Sequence, residues 1–234
     1  MIADATRRFD AILFDFDGVL LESEYAGNAQ IARYLTAIGH PTTMEQSMEN
    51  FMGLAGDAFL RAIEDWIGRP LPDDFHAARE AENRRALSEG LAEVAGAIAF
   101  VRGLPPHLPR AITSSSGTHW IDTHLRHLGV RDAFADHIYS GKEHVARGKP
   151  APDLYLLAAE RLGVAIDRCV ILEDSPVGAT GAVASGAHVI GFTAGMHCGP
   201  DHADRLRALG VHDVAGDFVE VARLIGGFPR ARSR

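Results

Sequence analysis

Short apolar runs alternate with amphipathic segments along most of the chain. The first run, Ala11 to Phe14, is continuously apolar, which is typical of a strand covered on both faces. Further strand-like runs are "RAITS", "HIYS", "CVILED" and "HVIGFT". Segments with helical spacing separate them, namely "EVAGAIAFVRGL", "THWIDTHLRHLG", "PDLYLLAAERLG" and "SPVGATGAVASGA". This alternation predicts an α/β fold, a doubly wound, Rossmann-like parallel sheet with helices on both faces.

The stretch between the first strand and residue 91 carries only helical patterns. Apolar residues recur every three or four positions in "ESEYAGNAQIARYLTAIG" and in "DAFLRAIEDWIG", and "PDDFHAAREAENRRALSEG" reads as a charged amphipathic helix. We therefore predict two domains. Residues 1–21 and 91–234 form the α/β core, and residues 22–90 form an all-helical domain inserted after the first strand.

Composition is that of an ordinary globular chain, with 234 residues, 47% hydrophobic and 23% charged. The net charge of −8 gives no electrostatic reason to expect nucleic acid or an anionic membrane as partner. No apolar run approaches the roughly 20 residues that cross a bilayer, and "MIADATRRFD" lacks the apolar core of a secretion signal. We expect a cytoplasmic protein in which Cys169 and Cys198 are free thiols and the basic end "PRARSR" is a frayed tail.

Acidic residues follow two of the predicted strands. Asp15 and Asp17 come at or just past the end of the first strand, and Glu173 and Asp174 end the run "CVILED". A turn or a helix cap would explain any one of these acids. The carboxyl ends of parallel strands, however, form the ligand edge of an open sheet, so all four acids are expected to converge there. Such a cluster needs a cation, and Mg²⁺ prefers oxygen ligands.

Two other segments offer groups that bind anions at the same edge. "RAITSSSG" ends in Ser114, Ser115 and Ser116, whose hydroxyl and backbone N–H groups could hold an anion or merely cap the next helix. Lys149 precedes Pro150, which favours an extended backbone ahead of a helix. A loop lysine is commonly a solvated surface group, but beside these acids it becomes a candidate anion anchor.

In this order, the four segments resemble the motifs of the haloacid dehalogenase superfamily. "DFDGVL", "ITSSS", "KPAPD" and "LEDSPVG" look like its first to fourth motifs. The helical insertion is similar to the cap of the branch that includes beta-phosphoglucomutase. The resemblance implies a Mg²⁺-dependent hydrolase of a small phosphorylated metabolite.

The resemblance also implies a role for each motif residue. Asp15 would be the nucleophile and form an aspartyl-phosphate, and Asp17 would be the general acid and base. Ser114 and Lys149 would hold the phosphoryl oxygens, with Ser115 beside them. Mg²⁺ would be bound by the Asp15 carboxylate, the Asp17 main-chain carbonyl and Asp174, with Glu173 as a ligand directly or through water.

Residues that differ from those of neighbouring families narrow the choice among possible reactions. Dehalogenases of this superfamily carry an aromatic residue and phosphonatases an alanine at the position of Asp17, so Asp17 favours phosphate esters. A sugar-phosphate mutase is the nearest alternative, but Gly27 stands where beta-phosphoglucomutase has a histidine. The apparent specificity loop "FMGLAGD" has no Lys or Arg, although Gly53 suggests a tight loop turned towards the substrate. A phospho-accepting signalling domain is a remote alternative. Such domains place an acid pair on the first strand and the phosphorylated aspartate on the third, whereas here the acids follow the first strand and a later one, with the helical insertion between them.

The histidines suggest no separate site. His119, His124 and His127 share a helix without Cys or acidic companions at ligand spacing, so we expect solvent exposure. His197 and Cys198 follow the "HVIGFT" strand, where a minor substrate contact is the most they indicate. The identity of the phosphorylated substrate is not encoded in any motif.

Overall fold

A computed structural model describes residues 9–54 and 56–226, and a six-stranded parallel sheet forms its centre. The strands lie in the order β3-β2-β1-β4-β5-β6. They are β1 Ala11–Phe14, β2 Arg110–Ser114, β3 Ile138–Ser140, β4 Cys169–Glu173, β5 His188–Phe192 and β6 Asp213–Ala215. The chain adds strands on one side of β1 and then crosses to the other, so β1 and β4 flank the switch point where ligands bind in such sheets. The predicted fold class is confirmed.

Helices cover both faces of this sheet. The helices of the described residues, those of the inserted segment included, are α1 Ser23–Ala37, α2 Met44–Phe51, α3 Gly56–Ile67, α4 Phe75–Glu89, α5 Ala97–Gly103, α6 Thr118–His127, α7 Asp153–Leu162, α8 Pro176–Ser185, α9 His202–Ala208 and α10 Phe218–Leu224. Short 3₁₀ turns span Arg131–Phe134 and Ile166–Arg168. None of the described helices is long and apolar enough to traverse a lipid bilayer.

The apolar run of β1 is continuous because the strand is buried on both sides. Ile12 and Phe14 belong to the hydrophobic cluster on one face of the sheet. Ala11 and Leu13 belong to the cluster on the other face. Successive strand side chains point to opposite faces, so each of the four residues faces a covered layer. β1 is thereby held in the middle of the core with its carboxyl end at the ligand edge.

Helices α1 to α4 pack around a hydrophobic cluster of their own, which includes Leu35, Phe51, Ile63 and Phe75. This helical cap connects to the core through two paired segments. The amide of Glu22 donates to the carbonyl of Ala92 at 3.0 Å, and the amide of Val94 donates to the carbonyl of Leu20 at 3.0 Å. The proposed domain boundaries at residues 22 and 90 fall beside this pairing.

Some elements differ from the prediction. The helix expected from "EVAGAIAFVRGL" begins only at Ala97, because Gly96 has a φ of 85° that interrupts helical geometry. The helices α2, α9 and α10 and the strand β6 were not predicted. α2 does carry a sequence signal, a capping box in which Thr43 and Gln46 bond each other's backbone amides. The tail "PRARSR" lies outside the described residues.

Candidate active site

The acids that follow β1 and end β4 meet at one point of the sheet edge. β1 and β4 pair with Phe14 opposite Leu172, and the amide of Asp15 donates to the carbonyl of Leu172 at 2.9 Å. Asp15, Glu173 and Asp174 are all buried. One carboxylate oxygen from each of the three lies within 4.8 Å of the others. The register of two neighbouring strands therefore brings Glu173 and Asp174 beside Asp15, although they follow it by 158 and 159 positions in the sequence.

Lys149 enters this cluster from the loop between β3 and α7. Its Nζ donates to Asp15 Oδ1 at 2.7 Å and also contacts Glu173 Oε1. The lysine side chain is only 3% exposed, so it is not the solvated surface group considered above. Burial acts to lower the pKa of Lys149, but the charges of Asp15 and Glu173 outweigh burial and hold it above its ordinary value. The lysine is a fixed cation.

Glu173 is enclosed by hydrogen-bond donors. The hydroxyl of Tyr155 donates to Glu173 Oε1 at 2.6 Å, and the Ser175 hydroxyl and amide donate to Oε2 at 3.2 and 3.3 Å. A Cβ on Gly178 would lie 2.1 Å from Oε1, so the first turn of α8 leaves room for this carboxylate only because residue 178 is glycine. Together with Lys149, these contacts engage both oxygens of Glu173.

The Asp17 carboxylate is turned towards the end of β2 and the start of the cap. The hydroxyl of Ser23 and the indole of Trp120 donate to Oδ1 at 2.6 and 3.1 Å. The hydroxyls of Ser114 and Ser116 donate to Oδ2 at 3.2 and 2.6 Å. Each oxygen of this carboxylate therefore accepts two hydrogen bonds, which fix its orientation at the sheet edge. The sequence had suggested anion binding for Ser114 and Ser116 but no bond from either hydroxyl to Asp17, and it gave no role to Ser23 or Trp120.

Asp174 lies at the bottom of the cluster beside a glycine and a histidine. Gly18 has a φ of +82°, and a Cβ there would lie 1.9 Å from Asp174 Oδ2. The same oxygen lies 2.8 Å from Nε2 of His197. Oδ1 of Asp174 is buried and has no hydrogen-bond partner in the part of the chain that the structure describes. A buried carboxylate oxygen without a donor calls for a cation or an ordered water.

These residues fit a hard divalent cation. Burial, followed by the charge of Glu173, raises the pKa of both Asp15 and Asp174 above the ordinary carboxyl range. Without a bound cation, both carboxyl groups therefore hold their protons more tightly than usual. Carboxylate oxygens are the donors that Mg²⁺ prefers, and the unpartnered Oδ1 of Asp174 is one of them.

A cavity of about 1010 Å³ opens above the acids, between the core and the helical cap. Its walls include the exposed Ser115 at the end of β2 and, from the cap, Met52, Gly53 and Leu54. Gly53 has a φ of 78° in a turn of the loop between α2 and α3, and this loop lines the cavity. Arg79 of α4 lines it as well, a cation that the specificity loop lacks.

One expectation about the histidines is wrong. His119 and His127 are exposed, but His124 is completely buried. The centroid of its ring lies 4.2 Å from that of the Trp120 ring. Burial lowers the pKa of His124 to about 4, so the ring is neutral. Helical spacing alone explains the difference, since His124 shares the buried face of α6 with Ile121 and Leu125. Cys169 is buried in the core as predicted, and both cysteines are free.

The chain is similar to known proteins along most of its length. The model of the family described as haloacid dehalogenase-like hydrolase matches residues 9–186. Hexitol phosphatase A of Escherichia coli (strain K12) is 31% identical over 189 residues, covering 80% of this chain and 84% of that protein. Fructose-1-phosphate phosphatase YqaB of the same organism is 30% identical over 186 residues, covering 78% of this chain and 96% of the relative.

A solved structure extends the likeness to three dimensions. A HAD family hydrolase from Deinococcus radiodurans R1, crystallised with bound phosphate and sodium, superposes with a TM-score of 0.83 at 34% identity. The alignment covers 93% of this chain and 96% of that one. The predicted enzyme class of phosphoric monoester hydrolase is confirmed with the family, and the chain belongs to the haloacid dehalogenase-like hydrolases.

Proposed function

We propose that this hydrolase is a Mg²⁺-dependent phosphatase that acts on a small phosphorylated metabolite, such as a sugar phosphate, through an aspartyl-phosphate on Asp15. The observation that carries the proposal is the juxtaposition of Lys149 with Asp15 at 2.7 Å, inside a buried group of three carboxylates. One ammonium faces three acids, which leaves a surplus of negative charge that a divalent cation and its phosphate ligand would balance. Two relatives carry the names hexitol phosphatase A and fructose-1-phosphate phosphatase, which supports a phosphorylated sugar or hexitol as substrate.

Asp15 would attack phosphorus with one carboxylate oxygen, and the bond from phosphorus to the ester oxygen would break. Asp17 would give a proton to that departing oxygen and later remove one from the water that hydrolyses the aspartyl-phosphate. The Lys149 ammonium and the Ser114 hydroxyl would bind the phosphoryl oxygens, with Ser115 at the cavity wall. When bound by Asp15, Asp174 and the Asp17 main-chain carbonyl, Mg²⁺ would offset the negative charge at phosphorus.

Glu173 would interact with Mg²⁺ through a water molecule rather than as a direct ligand. Its two oxygens are already engaged by Lys149, Tyr155 and Ser175. A bound water would therefore carry its interaction with Mg²⁺, the second of the two arrangements considered from the sequence. The free thiols of Cys169 and Cys198 support a reducing, cytoplasmic location.

One observation favours a second candidate, a sugar-phosphate mutase. Arg79 lines the cap side of the cavity, where a cation could hold a second phosphate. Its Nη1 donates to Gln30 Oε1 at 2.8 Å, and the charges of Glu82 and Glu24 act on it as well. Those two acids would oppose a second dianionic group, so the phosphatase remains our proposal.

A panel of sugar, hexitol and carboxylic acid phosphates, each with Mg²⁺ or with chelator, tests the proposal. We expect inorganic phosphate to be released only with Mg²⁺ and only from the wild type, not from Asp15→Asn. Conversion of one sugar phosphate into its isomer, dependent on a bisphosphate activator, would instead establish the mutase. Release of phosphate by Asp15→Asn at the wild-type rate would exclude the proposed nucleophile.

A further inference from the structure

The loop that follows β5 runs from Gly195 to the first residue of α9, His202, and contacts Asp174, yet no motif or proposed catalytic step uses it. Two histidines in this loop contact Asp174 through different atoms. Nε2 of His197 lies 2.8 Å from the carboxylate oxygen Oδ2, and Nε2 of His202 pairs with the main-chain carbonyl of the same residue. Both histidines are buried, at 4% and 3% exposed. The side chain and the backbone of one acid are thus held by one loop.

The ring of His197 occupies a slot that only glycines leave open. A Cβ on Gly195 would lie 2.6 Å from Nδ1 of the ring, and a Cβ on Gly18 would lie 2.8 Å from Cε1. Side chains do not tolerate such distances, so neither glycine could carry one without displacing the ring. Gly18 belongs to the turn after β1 and Gly195 to the loop itself. The ring is therefore fixed from both sides against Asp174.

The loop is in turn fixed to the junction between core and cap. The amide of Met196 donates to both carboxylate oxygens of Glu22 at 3.1 Å. Glu22 is buried, and its own amide bonds Ala92 across the two connecting segments. This tether keeps the residue before His197 in place, so the position of the imidazole does not depend on its own contacts alone.

The contacts of the two ring nitrogens favour one tautomer of His197. Nδ1 is buried and finds no hydrogen-bond partner within residues 9–54 and 56–226, whereas Nε2 faces Oδ2 of Asp174 at 2.8 Å and, more distantly, Cys198 Sγ at 3.4 Å. A proton on Nε2 gives that N–H an acceptor and leaves a lone pair on Nδ1, which is the less costly group to bury unpaired. The imidazole can then hold Oδ2 while the unpartnered Oδ1 remains directed to other ligands.

A second metal site is the competing explanation, because His197, Cys198 and His202 bring one ligand atom each within 4.8 Å of one another. Two observations oppose it. Both nitrogens of His202 are engaged, Nε2 by the carbonyl of Asp174 and Nδ1 by Arg205 at 3.0 Å. Nε2 of His197, the ring nitrogen 3.4 Å from Cys198 Sγ, is likewise already engaged by Oδ2 of Asp174 at 2.8 Å.

We infer that His197 is a positioning residue for the metal ligand Asp174, held in its slot by Gly18, Gly195 and the Glu22 tether, and that it sets the affinity for Mg²⁺. The inference rests on the proposed function, in which Asp174 binds Mg²⁺. Partners that orient a metal ligand typically contribute 10- to 100-fold in metal affinity or activity. His197 touches neither phosphate nor metal in this account, so its effect is on binding of the ion rather than on the chemical step.

Two replacements of similar length separate hydrogen bonding from packing. His197→Gln retains an N–H donor at the end of the side chain, and His197→Met fills the slot without a donor. Calorimetric titration of the metal-free proteins with Mg²⁺ should show binding weakened about 10- to 100-fold in His197→Met and close to wild type in His197→Gln. The exposed His119 of α6 supplies the matched control, and His119→Ala should bind Mg²⁺ as the wild type does.

Kinetics provide the second measurement. In His197→Met the Mg²⁺ concentration for half-maximal activity should rise by the same factor, with kcat near the wild-type value once Mg²⁺ saturates. Equal Mg²⁺ affinity in all three proteins, or equal weakening in Gln and Met, would overturn the positioning role. So would a thiolate charge-transfer absorption on titration with Co²⁺, which would establish the second metal site. Failure of the wild type to bind Mg²⁺, or unchanged binding in Asp174→Ala, would instead refute the proposed function.

Discussion

The Lys149 ammonium lies 2.7 Å from Oδ1 of Asp15, and this ion pair lies within the cluster of buried acids. The lysine comes from a loop 134 positions later in the chain, and it also contacts Glu173. A single buried cation is thereby shared by the proposed nucleophile and by an acid on the neighbouring strand. Its removal should affect stability as well as catalysis.

We expect Lys149→Met to abolish phosphatase activity and to lower the free energy of unfolding by about 3–5 kcal/mol, the usual cost of leaving a buried charge unpaired. The chain has one other lysine, Lys142, which is exposed. Urea unfolding of Lys142→Met should therefore match the wild type. Wild-type stability in Lys149→Met would show that the ammonium does not neutralise the buried acids.

Mg²⁺ should stabilise the folded protein in a way that depends on pH. Because the pKa values of Asp15 and Asp174 are raised in the folded state, the metal-free fold binds more protons than the unfolded chain above the ordinary value of 3.8. These two groups therefore lower stability as pH rises towards and through their raised pKa values. At a Mg²⁺ concentration 100 times the dissociation constant, binding should raise the free energy of unfolding by about 2.7 kcal/mol. This corresponds to a rise of roughly 5–10 °C in Tm.

Asp174→Asn isolates this effect. At pH about 8 the metal-free variant should unfold at a higher temperature than the metal-free wild type, because a buried like charge is gone. The variant should also show no gain in Tm with Mg²⁺. Thermal unfolding of both proteins across a pH series, with Mg²⁺ and with chelator, measures the difference. A variant that is less stable than the wild type at every pH would contradict the assigned repulsion.

Two helical glycines should respond to alanine in opposite directions. Ala at position 178 would place its Cβ about 2.1 Å from the Glu173 carboxylate, so Gly178→Ala should lose about 1–3 kcal/mol and most activity. Gly27 lies within α1, and a Cβ there meets nothing within 4 Å. Gly27→Ala should therefore gain about 0.5–1 kcal/mol from helix propensity. Chemical unfolding of the two variants tests whether Gly178 makes room for the Glu173 carboxylate. A gain in the free energy of unfolding in both variants would exclude this role.

Asp17→Asn should slow sugar phosphates far more than aryl phosphates. A sugar alkoxide needs a proton as it leaves, and general acid catalysis typically contributes about 10²- to 10⁴-fold, whereas an aryl oxide leaves without one. The second step still lacks its base, so a nitrophenyl ester should give a burst followed by slow turnover. Stopped-flow measurement of both substrates decides the matter, since equal losses without a burst would remove Asp17 from acid and base catalysis.

The acids and Lys149 could be predicted from the sequence because each lies at a strand end or just before a helix, where the topology of a parallel sheet fixes its place. His197 and Trp120 could not. Trp120 reaches Asp17 across 103 positions from the first turn of a helix, a place where a tryptophan is ordinarily a packing residue. His197 depends on the absence of side chains at Gly18 and Gly195, which becomes visible only when both backbones approach the same ring.

The short elements β6 and α10 were not predicted for similar physical reasons. β6 has three residues, "DVA", too few to show a period of two. Its place in the sheet comes from pairing with β5, with Gly191 opposite Val214. α10 is a seven-residue helix whose Phe218 and Val221 complete the core under β5 and β6. Such short elements are specified by the surface they cover more than by their own sequence.

The central claim is that Asp15 carries the phosphoryl group during turnover. Rapid acid quench of the enzyme with an aryl phosphate and Mg²⁺, followed by peptide mass spectrometry, measures this directly. Asp17→Asn is the best protein for the experiment, because slow hydrolysis should allow the aspartyl-phosphate to accumulate. We predict that phosphate is found on the peptide containing Asp15, and that none is found with chelator. Turnover with phosphate on another residue, or with no phosphorylated peptide in Asp17→Asn during a burst, would contradict the account.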